Sequence, residues 1–347
     1  MEDYAYPLTH MSRRELQTCG LRVLVFRERI AVEFFHALTD GTGGLRYLKT
    51  LTARYLELRY GQPIPPEQGV LDRTEAPAEW ETADAFHRVT GEFPPLGGSE
   101  ENVFRLTGTP DVTGFMHLTT GVVSSRDLAE TAHKYGGTVT ALLAAVMAQS
   151  IAEMQADRAP RRRWRPVKIT VPINLRKVFG VDTMRNFTLV INVGVDPRLK
   201  DYSISELCRE YKNRMALEVT PEKMAARVAE NVIPQKLLLM RLVPLPLKTL
   251  VMRAVYHARG ERKGCVNVSN LGVVETPEAM ASHVRRFEFI IGVQMSYPNN
   301  CSVATFGDVT CINMIRSIRE TELERRFFSR LVELGVPVLI ESNEGRQ

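Results

Sequence analysis

The stretch His36-Ala37-Leu38-Thr39-Asp40-Gly41 decides how this chain is read. It follows two β-signals, LRVLVF over 21–26 and IAVEFF over 30–35, which flank a short charged turn and predict a hairpin. It precedes LRYLKTLTARYLELRY, whose Leu45, Leu48, Leu51 and Leu58 recur at helical spacing. The histidine therefore lies just past a strand and the aspartate just before a helix. A strand-to-helix turn of this kind lets a side chain point into a cleft. Histidine suits that place, because its ordinary pKa of about 6.5 leaves a neutral base at pH 7. Beside a hydroxyl or amine it can take the proton as that group attacks a carbonyl. The bland alternative is a satisfied histidine at a strand end. Asp40 has two readings: it orients the imidazole, or it holds the turn by capping the helix or pairing with a distant arginine. The structural role is preferred. Gly41, Gly43 and Gly44 would then serve close backbone approach or positive φ.

Further along stand three more candidates. Pro172-Ile173-Asn174-Leu175-Arg176 closes the strand VKITVPIN; an arginine there makes two-point pairs with carboxylates, and Arg176 either locks Asp40 or is an ordinary surface arginine. Arg185-Asn186-Phe187-Thr188 opens the strand FTLVINVGV. Val268-Ser269-Asn270-Leu271-Gly272 ends another, where Ser269 and Asn270 either donate to a developing oxyanion or simply terminate the strand.

The remaining elements form no regular βα alternation. FMHLTTGVV reads as a strand, with Ser125 capping RDLAETAHKY and Thr138 capping the apolar helix VTALLAAVMAQSIAEM. Ser203 or Ser205 opens a helix near ELCREYKNRMA. A helical region from 221 to about 256 is expected to break at Pro234, Pro244 and Pro246. Strands return in GCVNVSNLG, FEFIIGVQMSY, CSVATFG and VTCINMI, before a last helix, RETELERRFFSRLVELG. Residues 61–114, rich in proline, glycine and acidic clusters, read as a long surface excursion. The pattern predicts an α/β fold with mixed sheets and two lobes, 1–158 carrying the histidine motif and 159–347, joined near the basic run Arg161–Arg165.

Composition narrows the function classes. The chain has 347 residues, 44% hydrophobic and 24% charged, as ordinary globular proteins do. A net charge of +5 is too mild for a nucleic-acid footprint. Five scattered cysteines and a polar N-terminus fit a reducing, cytoplasmic setting. No histidine pair has metal-ligand spacing, and neither a phosphate-binding loop nor a G-x-S-x-G elbow occurs. The greasiest window, 237–252, is broken by Arg241, Pro244, Pro246 and Lys248 and falls short of a span. It reads as a helical region, with an acyl-chain wall or a membrane-surface contact as alternatives.

HALTDG, PINLR, the RNF strand opening and VSNLG, in that order, resemble the condensation-domain and alcohol acetyltransferase group, related to chloramphenicol acetyltransferase. The resemblance covers nearly the whole chain. It implies two similar lobes with a tunnel between them, the first lobe incomplete here because the motif stands so near the N-terminus. His36 would be the base acting on an acceptor alcohol, or less readily an amine. Asp40 would be architectural, paired with Arg176 and supported by Asn174 and Gly41. The donor would be acyl-coenzyme A or an acyl group on a carrier protein, the acceptor a small molecule, with no bound cofactor and no metal. A catalytically weak homologue that binds a carrier or partner, or a free-standing amide-forming condensation enzyme, are the alternatives. The DFGWG element of the plant branch is absent; Thr305-Phe306-Gly307-Asp308 reads as a turn.

Overall fold

Strand pairing sorts the described residues into two sheets of unequal size. The computed structural model describes residues 7–89, 101–236, 244–255, 263–294 and 297–344. After a short helix α1 (Arg13–Thr18), β1 (Leu21–Phe26) and β2 (Arg29–Phe34) pair antiparallel, Leu21 opposite Phe34, as a sheet of their own. Helix α2 (Gly41–Tyr60) follows and ends at Gly61, whose φ of 71° is the left-handed cap that stops a helix. The described part of the 61–114 excursion holds two single-turn helices, α3 (Glu79–Thr82) and α4 (Ala85–Arg88).

The second sheet runs β5-β4-β6-β7-β8-β3-β9 among the described residues. Its strands are β3 (His117–Ser124), β4 (Val167–Asn174), β5 (Thr188–Val195), β6 (Val266–Val273), β7 (Asn299–Phe306), β8 (Val309–Arg316) and β9 (Leu339–Ser342). β6 pairs parallel with both β4 and β7, and the other neighbours are antiparallel. The sheet is mixed, as expected. It also draws on both sides of residue 158, because β3 lies beside β8 and β9. The change from one sheet to the other falls between β2 and β3.

One face of this sheet presents Ile169, Val171, Val266, Val268, Cys301, Val303, Ile312 and Met314, all buried. They pack with α5 (Ser125–Lys134), α6 (Val139–Arg158), α8 (Ile204–Glu218) and α12 (Glu322–Glu333) into the main core. Every residue of α6 from Ala141 to Ala148 is buried. Among the described residues α6 is the helix long and apolar enough to cross a membrane; about two-thirds of it is buried inside the protein, where an all-round apolar helix belongs. The opposite face is polar at the alternating positions Thr120, Thr170, Asn192, Asn267, Asn300, Ser302 and Asn313. A smaller second core joins α2 to that face through Ala53, Leu56, Val274, Met280, Phe287 and Ala304.

Several local expectations change. Ser124, not Ser125, caps α5, accepting from Asp127 N at 3.2 Å, because β3 runs one residue further. Pro234 does not break α9 (Pro221–Lys236). Pro246 falls in the first turn of α10 (Leu245–Val255), where the missing N–H has no helical partner to lose. Residues 237–243 and 256 of the expected helical stretch lie outside the described residues. No strand forms over the described part of FEFIIGVQMSY: residues 287–293 run without regular structure, Gln294 makes an isolated bridge to Tyr297, and residues 295 and 296 lie outside the described residues. Its apolar, β-branched composition imitates a strand, but both neighbours of β7 are already filled by β6 and β8. The exposed edge strand β9 and the helix α11 (Glu278–Ala281) carried no pattern that periodicity detects.

Candidate active site

Asp40 organises the motif. It caps α2, its Oδ1 accepting from Thr42 N and Gly43 N at 3.1 Å each. Its Oδ2 accepts from Arg176 Nη1 at 2.7 Å, Phe187 N at 2.8 Å and the Thr188 hydroxyl at 3.0 Å. Asp40 is 2% exposed and Arg176 8%. Burial pushes the Asp40 carboxyl up, but the Arg176 guanidinium and the Phe187 and Gly43 N–H groups outweigh it and hold the carboxyl below its ordinary value. Both oxygens are committed to these donors, and His36 is not one of them.

Arg176 is fixed as firmly. Nε donates to Thr183 O at 2.9 Å and Nη2 to Arg185 O at 2.6 Å. Asn174, at the end of β4, caps the short helix α7 (Leu175–Phe179) by accepting from Arg176 N, and its Nδ2 donates to Thr42 Oγ1 at 3.1 Å. Thr39 Oγ1 donates to Met184 O at 2.6 Å, and Arg46 holds Asp182 through two bonds of 2.8 and 2.9 Å. The first turns of α2 are thus stitched to the segment 174–188 of the large sheet. The candidates His36, Asp40, Asn174, Arg176 and Asn186, more than a hundred residues apart at the extremes, meet here.

None of Gly41, Gly43 and Gly44 takes a positive φ. Close approach explains the one that matters most: a Cβ on Gly43 would strike Thr39 Oγ1 and the carbonyl of Met184. Gly43→Ala is expected to destabilise the protein by roughly 1–3 kcal/mol, since backbone on one side cannot move aside; chemical denaturation of the purified variant measures it.

His36 occupies the turn between β2 and α2, and its side chain is exposed. The amide Nδ2 of Asn186 lies 3.3 Å from its Nδ1 and 3.4 Å from its main-chain oxygen. An open cleft of about 520 Å³ beside the turn is lined by Leu21, Ala37, Leu38, Tyr47, Met184 and Arg185, among others; His36 is not part of its wall. Asn270 is taken up locally, Oδ1 accepting from Gly272 N at 2.8 Å and Nδ2 donating to Thr140 Oγ1 at 3.1 Å. That is the strand-terminating role, at the irregular register between Asn270 and Val273. Ser269 lies on the polar face, next to Ser302, and its hydroxyl has no partner among the described residues. The roles of Thr39 and Thr42 escaped sequence reading because a threonine's partners are set by the fold. Thr188 stood in the quoted Arg185–Thr188 opening, but its bond to Asp40 is set by the fold.

No protein-family model matches the chain, and no curated protein matches it. Solved structures do. F. sporotrichioides TRI101 complexed with coenzyme A and T-2 is 11% identical, with a TM-score of 0.52, over 94% of this chain and 71% of that one. The epimerization domain from the third module of tyrocidine synthetase B is 10% identical, with a TM-score of 0.50, over 88% and 68%. TRI3 trichothecene 15-O-acetyltransferase from Fusarium sporotrichioides is 14% identical, with a TM-score of 0.49, over 85% and 63%. Identity this low speaks for fold alone: the chain has a mixed α/β fold similar to those of TRI101 and the tyrocidine synthetase B epimerization domain.

Proposed function

We propose that the protein transfers an acyl group from a thioester to a small acceptor, an alcohol in preference to an amine, with His36 as general base. The observation that carries this reading is the exposed His36 on a turn whose backbone is locked from below by Asp40 and Arg176. A base needs access to its substrate and a fixed direction; the turn supplies both. Asp40 fixes the turn rather than the imidazole, because its oxygens are spent on Arg176, Thr42, Gly43, Phe187 and Thr188.

In the proposed step an imidazole nitrogen of His36 takes the acceptor's hydroxyl proton as the oxygen attacks the thioester carbonyl. The C–O bond forms, and charge gathers on the carbonyl oxygen. Collapse breaks the C–S bond, and the imidazolium returns its proton to the thiolate. An ester and a free thiol result, with no acyl-enzyme. The Ser269 hydroxyl is the available donor for the developing oxyanion; Asn270 is already engaged. TRI101, the neighbour with a TM-score of 0.52, is complexed with coenzyme A, which supports a coenzyme A thioester as donor. An acyl group on a carrier protein is the alternative donor.

Thiol release tests this. Purified protein meets acetyl- and longer acyl-coenzyme A, and acyl groups on a carrier protein, with a panel of alcohols and amines. Release that depends on both one acceptor and His36 is expected. Folded protein that releases no thiol from either donor type defeats the reading and favours a homologue that only binds a carrier or partner.

A further inference from the structure

The segment 287–294 crosses the polar face of the large sheet without joining it as a strand. Side chains take its carbonyls instead. Ser302 Oγ donates to Phe289 O at 2.6 Å, and Asn313 Nδ2 donates to the same oxygen at 3.0 Å. Asn300 Nδ2 donates to Gly292 O at 2.7 Å. All three residues are fully buried. Each asparagine is held from its other side: Asn313 Oδ1 accepts from Thr120 Oγ1 at 2.7 Å, and Asn300 Oδ1 from Asn267 N and Nδ2 at 3.1 and 3.0 Å. A satisfied buried network of this kind specifies one arrangement; an apolar replacement at 302 or 313 would remove one of the two donors to Phe289 O, and one at 300 the donor from the row to Gly292 O.

The strap's side chains turn the other way. Phe287 enters the second core with Ala53 and Leu56 of α2. The Phe289 ring covers Gly41, where a Cβ would come within 3.1 Å of Cζ. Gly41 is both the last residue of the histidine motif and the first of α2. A continuous chain of contacts therefore runs from the polar row, through Phe289, to the turn that carries His36.

We propose that Ser302 and Asn313 are positioning residues for the acyl transfer: they pin the strap so that Phe289 clamps the start of α2 and fixes the direction of His36. This rests on the acyltransferase reading for its catalytic consequence, but the mechanical coupling is measurable without substrate.

Hydrogen exchange on the full chain tests it, reading peptides over 36–44 and 287–294 with α6 as internal reference. In Ser302→Ala, 36–44 is expected to exchange roughly tenfold faster while α6 keeps its protection, and kcat to fall about tenfold with KM within about twofold, because a small misplacement of a base is costly to the chemical step. Phe289→Ala, which spares the buried polar row, should reproduce both effects. If Ser302→Ala also opens α6, Phe289→Ala decides: faster exchange confined to 36–44 and 287–294 supports the clamp. Unchanged exchange at 36–44 in Phe289→Ala overturns it. A wild-type protein that shows the exchange coupling but never releases thiol would defeat the acyltransferase reading alone.

Discussion

His36→Ala is expected to lose at least about a hundredfold in turnover while keeping its fold. General-base help is typically worth about 10² to 10⁴ in rate. The residue is exposed and the described hydrogen-bond partner of its ring is the Asn186 amide at 3.3 Å, so little packing is lost with it. The melting temperature should stay near that of the wild type. The loss should appear in kcat and kcat/KM together, the signature of an interaction made at the transition state. The thiol-release assay with a fixed donor and acceptor measures it. An alanine variant of full activity would remove His36 from the mechanism.

Asp40→Asn is expected to behave in the opposite way, with stability lost first and activity following it. The substitution leaves Arg176 charged and buried without its carboxylate, and turns an amide N–H₂ toward donors that need an acceptor. Breaking one side of a buried pair costs about 3–5 kcal/mol. Denaturant melts of the two proteins measure the gap, and its pH dependence follows from linkage. The Asp40 carboxyl is held below its ordinary value when folded, the Arg176 pair and the N–H donors overcoming burial. The unfolded chain therefore binds the proton at higher pH than the folded one, so the lock contributes fully above about pH 4. That contribution fades as pH drops through the folded value. The gap between wild type and Asp40→Asn should thus be widest near neutrality and narrow in acid. A variant of normal stability with abolished turnover would instead make Asp40 an orienting partner of the imidazole.

Much of the site was legible because its signals are short-range. A polar acceptor directly before a helical pattern reads as a cap, and Asp40 is one. An arginine following a strand end can reach across a junction, and Arg176 reaches Asp40. Register was less accessible. Ser124 and Ser125 are equally good caps by type, and only the extra β3 residue, paired with Val309, selects between them. FEFIIGVQMSY has the local marks of a strand, yet strandhood depends on a partner, and among the described residues both sides of β7 are already taken by β6 and β8. Ser269 and Asn270 look alike as donors in the chain; opposite faces of one strand separate them, with Thr140 of α6 engaging the second.

The amino-acid sequence by itself determined the mixed α/β class, the hairpin-turn-helix around the histidine motif and the residue types suited to acyl transfer. Periodicity, caps and motif order depend only on neighbours within a few turns. The tertiary structure alone decided what Asp40 faces, where one sheet gives way to the next, and that the polar strand positions form a row pinning residue 289 over residue 41. Those contacts join segments far apart in the chain, and their free energy exists only once the chain has closed the loops between them.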